Sequence, residues 1–483
     1  MKHIVVKSGL ILLITLSISG CKKNLLDSTP YGQSTSADFW RNADDAIAAS
    51  NALYSFLGDE YMFAHTEQTW DICSDDLWRA GDHGEDQAIE DFTYDPSNPQ
   101  LNESWSRKYE VISRANAVLI NVPGINMDEA LKKRILGEAH FIRGFIYWHF
   151  YRIYGQVPII AEENVKSNTY NVPKGTIEEM KEIIESDFTQ AAELLPLQHD
   201  GDNLGRATKG SALGFLTKFY VYQENWPKAI ETGNKVVNEP SYKLAPSFGD
   251  NFKPASKNNP EMLFTIQCTD GWTENVTAIY AAPRPWGGWG FVEPIKDLAD
   301  EFEANDERLT YTMGKVGDII DPGASNGGPQ PVPAGLTNTG YFFRKTVNWR
   351  PDGGLDNNMN IPMLRAADVY LLVAEAKIRS GANGDNEINK LRSRNGLGNV
   401  TNATMTQLIH ERRVELAGEN ERHQDLMRWD RANLIDLKTH YAKNRGQWKP
   451  GRNFQRPKNY LFPIPQRQID LSNGVLIQNP DFQ

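Results

Sequence analysis

Apolar positions in the stretch 130–154 recur at steps of three and four: Leu131, Ile135, Ala139, Ile142 and Ile146. That period predicts a helix with one face buried in a bundle. Thr176 opens a second helix, with Glu178 and Glu179 in the first turn, where the helix dipole favours carboxylates, and Pro196 closes it. Stretches 212–222 and 226–237 form a pair. Ala212 and Leu216 on one helix face Ala229 and Ile230 on the other across the polar turn Glu224-Asn225, as in a tetratricopeptide-type hairpin. Ala366 to Ser380, then Gly381, then Asp385 to Arg394 give a further pair. Between the helical halves the pattern changes. Glu261 to Cys268 reads as the best short strand, while 271–294 and 314–341 are rich in Gly and Pro and carry no helical period. The expected fold is mainly α, a scaffold of tetratricopeptide-like helix pairs with helix content above roughly one-third. Its few short strands fall mostly within 261–341. Residues 37–240 and 342–483 are the helical regions and 241–341 the loop-rich one, all packed as one domain.

The first twenty residues follow another logic. Lys2, His3 and Lys7 precede the apolar run from Leu10 to Ile18, too short to span a bilayer, so 1–20 reads as an export signal. Ile18-Ser19-Gly20-Cys21 has the spacing of a bacterial lipobox, which makes Cys21 the lipidated first residue of the mature chain and 21–36 a polar tether. Several acyl chains on one cysteine hold firmly to a membrane where one is marginal.

Composition removes several classes. With 40% hydrophobic and 23% charged residues in 483, the chain is globular. Loss of Lys2 and Lys7 with the leader takes the net charge from −11 to −13, and no run of five basic residues exists, so nucleic acid is not an expected partner. Three cysteines make neither a disulfide scaffold nor a four-cysteine zinc site. Cys73 and Cys268 sit among apolar neighbours and fit two separately buried thiols better than a disulfide. His410-Glu411 lacks the second histidine of a zinc-protease helix, Ser211 stands where a phosphate loop needs lysine, and no Gly-x-Ser-x-Gly elbow occurs. Asp71, Asp75 and Asp76 leave a glycoside hydrolase as the enzyme alternative. No cofactor or metal is expected.

Trp272, Trp286 and Trp289 fall within eighteen residues, where an even spread of the 12 tryptophans predicts about 0.4. They lie with Tyr280 among glycines and prolines, in a segment where a ring can meet the C–H face and hydroxyl rim of a sugar. Capping of a helix near Pro294 is the competing role and suits Trp289 best. Trp286, between Pro285 and Gly287, is the favoured ligand contact. Asp75, Trp78 and Arg79 add polar contacts beside an aromatic face, and Asn102, Trp105, Tyr109 and Asn116 are weaker candidates. Farther on, Glu411, Arg412, Arg413, Glu415, Glu419, Arg422 and Asp425 place opposite charges three or four apart, which predicts ion pairs along one helix, with a buried network as the alternative.

Five blocks together resemble the SusD/RagB family of outer-membrane nutrient-binding lipoproteins. They are the lipid-anchored start with Leu26-Asp27 and Pro30; LGEAHFIRGFIYWHFYRIYGQVPII from Leu136; GRATKGSALGFLTKFYVY from Gly205; MLRAADVYLLVAEA from Met363 with HERRVELAGENERHQDLMRW from His410; and the ending YLFPIPQRQIDLSNGVLIQNPDF. The resemblance implies a helical fold, exposure on the cell surface and pairing with a SusC-like TonB-dependent transporter. It implies binding of an oligosaccharide or, as in RagB, of a peptide, without chemistry.

Overall fold

A computed structural model of the protein describes residues 39–64, 70–81, 83–269 and 275–482. The leader, Cys21, the tether 21–36 and Trp272 lie outside these residues. About 50% of the described residues are helical. The longer helices are α1 (Ala43–Tyr54), α2 (Pro99–Asn121), α3 (Glu129–Tyr154), α4 (Ile177–Leu194), α5 (Lys209–Tyr222) and α6 (Trp226–Val237). After the loop-rich region come α7 (Ala366–Arg379), α8 (Asp385–Arg394), α9 (Met405–Leu416) and α10 (Arg422–Arg431), and near the end the short α11 (Gln466–Leu471).

Local chemistry sets these boundaries. Thr176 Oγ1 accepts the Glu179 N–H at 3.1 Å, and the Glu179 carboxylate accepts the Thr176 N–H at 2.7 Å, a reciprocal cap that starts α4. Asn225 caps α6 through Lys228 N–H. Successive helices pack on their neighbours: α2 on α3, α3 on α4, α4 on α5, α5 on α6, and α6 on α7. Close approach in this stack depends on small residues. A Cβ on Gly233 of α6 would stand 2.3 Å from Val373 of α7. The main core lies where α3, α4 and α5 meet the strand Met262–Ile266. Phe141 meets Phe264 there at 4.7 Å, Phe145 meets Phe215 at 5.1 Å, and Phe188 meets Phe215 at 5.7 Å.

Among the described residues the strands form four antiparallel pairs: β1 (Leu77–Arg79) with β3 (Val292–Pro294), β2 (Met262–Ile266) with β8 (Ile361–Arg365), β4 (Met313–Lys315) with β7 (Tyr341–Phe343), and β5 (Ile319–Ile320) with β6 (Gln330–Pro331). Strand β1 falls within 37–240, expected to be helical, and outside the 261–341 stretch where most strands were expected. It is specified by its partner far along the chain, not by its own three residues.

The charged run from Glu411 to Asp425 forms the alternative, a buried network, and not ion pairs along one helix. It is not one helix: α9 ends at Leu416, and Gly418 turns the chain at φ +75°, where a Cβ would meet Phe343 at 2.7 Å. Nor do its charges pair mainly with one another. Glu415, wholly buried, receives Arg308 at 3.2 Å, Arg365 at 3.0 Å and Arg394 at 2.6 Å, from three other elements. Glu419 holds Arg365 and Lys345, and Arg412 bridges Asp368 and Asp425. Burial raises the Glu415 carboxyl, but the three guanidiniums overcome it and hold the group below the usual carboxylate range. Such a network is favourable only while every charge keeps its partners.

Glu415→Gln leaves three buried guanidiniums short of a counter-charge, and it should lower unfolding stability by about 3–5 kcal/mol in chemical denaturation. A second prediction concerns Asp71, whose buried carboxyl accepts the His423 N–H at 2.9 Å and is pushed up to about 8 by burial. Between about pH 4 and about pH 8 it holds a proton when folded and has lost it when unfolded, so it contributes stability that disappears as pH rises through about 8. Asp71→Asn has no proton to lose. Its thermal midpoint relative to the wild type should climb as pH is raised from about 5 to about 8.

Candidate functional site: an aromatic ledge

Two segments some two hundred residues apart build one surface. Strand β1 pairs with β3 in the register Leu77↔Pro294, Trp78↔Glu293 and Arg79↔Val292. Ala80 N–H donates to Phe291 O at 2.8 Å, and Ile295 N–H to Asp76 O at 3.0 Å, which extends the pairing at both ends. The stretch from Asp75 to Arg79 and the loop before Pro294, both singled out from sequence, are thereby brought together.

The loop leading into β3 folds back on the short helix Val276–Ala281. Trp289 N–H donates to Ile279 O at 2.6 Å and Gly290 N–H to Ala282 O at 2.9 Å. Gly288 admits that approach, since a Cβ there would stand 2.0 Å from Ala282 O. Gly287 at φ +88° supplies the turn. The result is a ledge. Trp289 is 44% exposed and rests edge-on over Tyr280 at 5.1 Å and tilted over Phe291 at 5.5 Å. Tyr280 lies beneath, its hydroxyl donating to the Glu60 carboxylate, and burial and that carboxylate keep the phenol protonated. His83 meets the edge of Phe291 at 5.1 Å. Arg284, exposed beside it, donates to Trp289 O at 2.6 Å and lies over Phe291. Exposed aromatic face and polar rim stand side by side.

Trp286, favoured from sequence, turns the other way. It is 4% exposed in a satellite cluster with Ile320, Val332, Leu336 and Phe342. Its ring stands perpendicular to Phe342 and to Trp349, each at 5.8 Å, and Trp349 Nε1 donates to Trp286 O. The β5–β6 and β7 segments supply the apolar pocket that draws it in. The packing role expected of Trp289 belongs to Trp286, and the exposed position belongs to Trp289.

Asp75 and Arg79 also face inward. Asp75 is fully buried, with Arg422 Nε at 2.8 Å, His440 Nε2 at 2.8 Å and Arg413 at 3.5 Å. Burial opposes its charge, and Arg413 with Arg422 more than offsets this, so its carboxyl sits well below the usual range. Asp76 is raised by burial and by its charged neighbour Asp75, against the pull of Arg413. Arg79 pairs with Asp86 at 2.8 Å and spreads its guanidinium under Phe291 at 4.4 Å, backing the ledge from below. Trp78 is half-buried against Trp448 at 4.5 Å, a second aromatic pair on the same strand. Sequence reasoning did not single out Trp448, Glu60 or His83; the Gly-Pro-rich setting of Trp448 was the available signal for it.

Of the weaker candidates, Trp105 is buried against Tyr109, Phe150 and Tyr154, and Asn116 ties Arg143 to Ile160 O. Cys73 and Cys268 are separate buried thiols, each pushed up to about 12 by burial. Asp71, Asp75 and Asp76 all lie inside the protein. Glu303, His410 and Glu411 converge within 4.8 Å, but Arg392 engages both carboxylates, Arg308 takes Glu411, and His410 meets Glu301 at 2.8 Å. Among the described residues no helix is long and apolar enough to cross a membrane.

Comparison with known proteins agrees with this architecture. The chain is 25% identical to SusD-like protein P2 of Formosa agariphila, covering 98% of both chains, and 26% identical to a SusD-like protein of Bacteroides ovatus, covering 99% of this chain and 92% of that one. A solved structure described as a laminarin binding SusD-like protein superposes with a TM-score of 0.76 at 26% identity, over 92% of this chain and 100% of that one. Residues 26–221 match a family described as "Starch-binding associating with outer membrane", and residues 260–482 match the SusD family. With both matches running in order along one chain and relatives aligned over nearly all of it, the protein belongs to the SusD family.

Proposed function

We propose that the protein captures an oligosaccharide on the Trp289 ledge and passes it to a SusC-like TonB-dependent transporter in the outer membrane, to which Cys21 anchors it, facing the cell exterior. The observation that carries this reading is Trp289 itself, a broad aromatic ring held open to solvent over Tyr280 and Phe291. A ring so mounted takes the C–H face of a sugar, and His83, Arg284 and Glu60 stand within the same surface to meet hydroxyl groups. The laminarin-binding relative and the starch-binding description of the family match support a glucan as ligand.

The same geometry favours a binder over an enzyme. Hydrolysis of a glycosidic bond needs two carboxyl groups open to the substrate at a set separation. Asp75 and Asp76 are locked to arginines, and Asp71 is sealed beneath His423. Binding that must later be undone suits affinities of about −4 to −8 kcal/mol, in the micromolar to millimolar range.

A glycan array probed with the chain lacking residues 1–21 should show glucan binding and no product release. Trp289→Ala should weaken the best array ligand by at least ~1 kcal/mol in titration calorimetry and leave the thermal midpoint nearly unchanged. Trp286→Ala should do the opposite, lowering stability by about 3–5 kcal/mol as it empties the satellite cluster. Cys21→Ser should shift the protein from the membrane pellet to the soluble fraction on cell fractionation.

A further inference from the structure

A groove of ≈ 780 Å³ runs between the outer face of α2, the segment 158–172 and α11. Its volume lies in the range of small-molecule and oligosaccharide sites, and it exceeds the clefts beside Tyr242 (≈ 190 Å³) and Tyr54 (≈ 260 Å³). Three rings line it, Trp105 and Tyr109 along α2 and Tyr170 on the opposite wall, the last 51% exposed. Amides and hydroxyls continue along the floor: Gln468 Nε2 donates to Asn102 Oδ1 at 3.0 Å and to Ser106 Oγ at 3.2 Å. Arg467 at the α11 end is exposed, and among the described residues it makes no ion pair or hydrogen bond; nor does the Tyr170 hydroxyl. An open ring, an unengaged phenol and an unengaged guanidinium converge on one hollow.

One turn links the groove to the ledge. Asp59 and Glu60 are consecutive residues of one turn. Asp59 faces Arg107 of the groove at 3.9 Å, and Glu60 accepts the Tyr280 hydroxyl under Trp289. Tyr61 N–H closes the turn onto Asp59 at 3.0 Å.

We infer that the groove is a distal subsite for the same ligand: a glucan chain whose one end lies on Trp289 crosses the 59–61 turn and seats its other end against Tyr170 and Arg467. This rests on the glycan-binding reading of the ledge and adds to it a requirement for chain length. Disaccharides engage the ledge alone, and longer chains gain the groove.

Titration calorimetry of the chain lacking residues 1–21 with laminaribiose and laminarihexaose, and with maltose and maltohexaose, tests it. At least one hexasaccharide should bind about fivefold or more tighter than its disaccharide, beyond the gain from added copies of a single binding register. Tyr170→Ala and Arg467→Ala change exposed side chains and should leave the fold intact. Each should erase most of that gain while leaving disaccharide affinity unchanged, whereas Trp289→Ala should weaken both lengths. A crystal grown with the binding hexasaccharide should show sugar against Tyr170. Equal affinity for both lengths, a hexasaccharide indifferent to both groove substitutions, or a groove filled by residues 22–38 of the chain itself would overturn the subsite and leave the ledge reading standing. Failure of both hexasaccharides to bind overturns both.

Discussion

A charge clasp between Asp75, Asp76, Arg413 and Arg422 sets the terms for the rest of the molecule. These four groups come from opposite ends of the chain and are buried together. A buried charge without its partner is costly, by several kcal/mol, so the arrangement permits one relative placement of the 71–79 segment and helices α9 and α10. From that placement the remaining order follows. Strand β1 emerges directly from Asp75 and Asp76, β3 zips onto β1, and the Trp289 loop is carried on β3. Glu415 performs the same service two residues along α9, drawing Arg308, Arg365 and Arg394 from three separate elements. Apolar packing of the helix pairs makes the body; the charge clasp decides how its two ends meet.

Much of the helical body was legible from the chain, because periodicity and capping are local. The spans around Leu131, Thr176 and Trp226 emerge within a few residues of expectation for that reason. Interactions over distance were not legible. Glu411 to Asp425 shows a spacing that suits pairs along a helix, and the same spacing suits charges pointing at other elements. Only Gly418 hinted that the helix breaks.

The tryptophan loop shows the same limit at finer scale. Trp286 and Trp289 have near-identical surroundings of Gly and Pro, and their fates are decided by Phe342 and Trp349 in one case and by Tyr280 in the other. Excess of tryptophan located the segment; which ring faces water depends on partners outside it. Asp75 and Arg79 are a related case: their segment borders the exposed ring, while their side chains turn inward and frame it from behind.

The ledge is fastened almost wholly through backbone atoms: Ala80 to Phe291, Trp289 to Ile279, Gly290 to Ala282. Main-chain bonds of this kind are indifferent to what projects from the α-carbon. The identity of residue 289 can therefore change with little disturbance to the frame, while Gly288 and the clasp below tolerate almost nothing. What the exposed face presents and what holds it in place are thus separable: a point substitution at 289 alters the face and leaves the mount as it is.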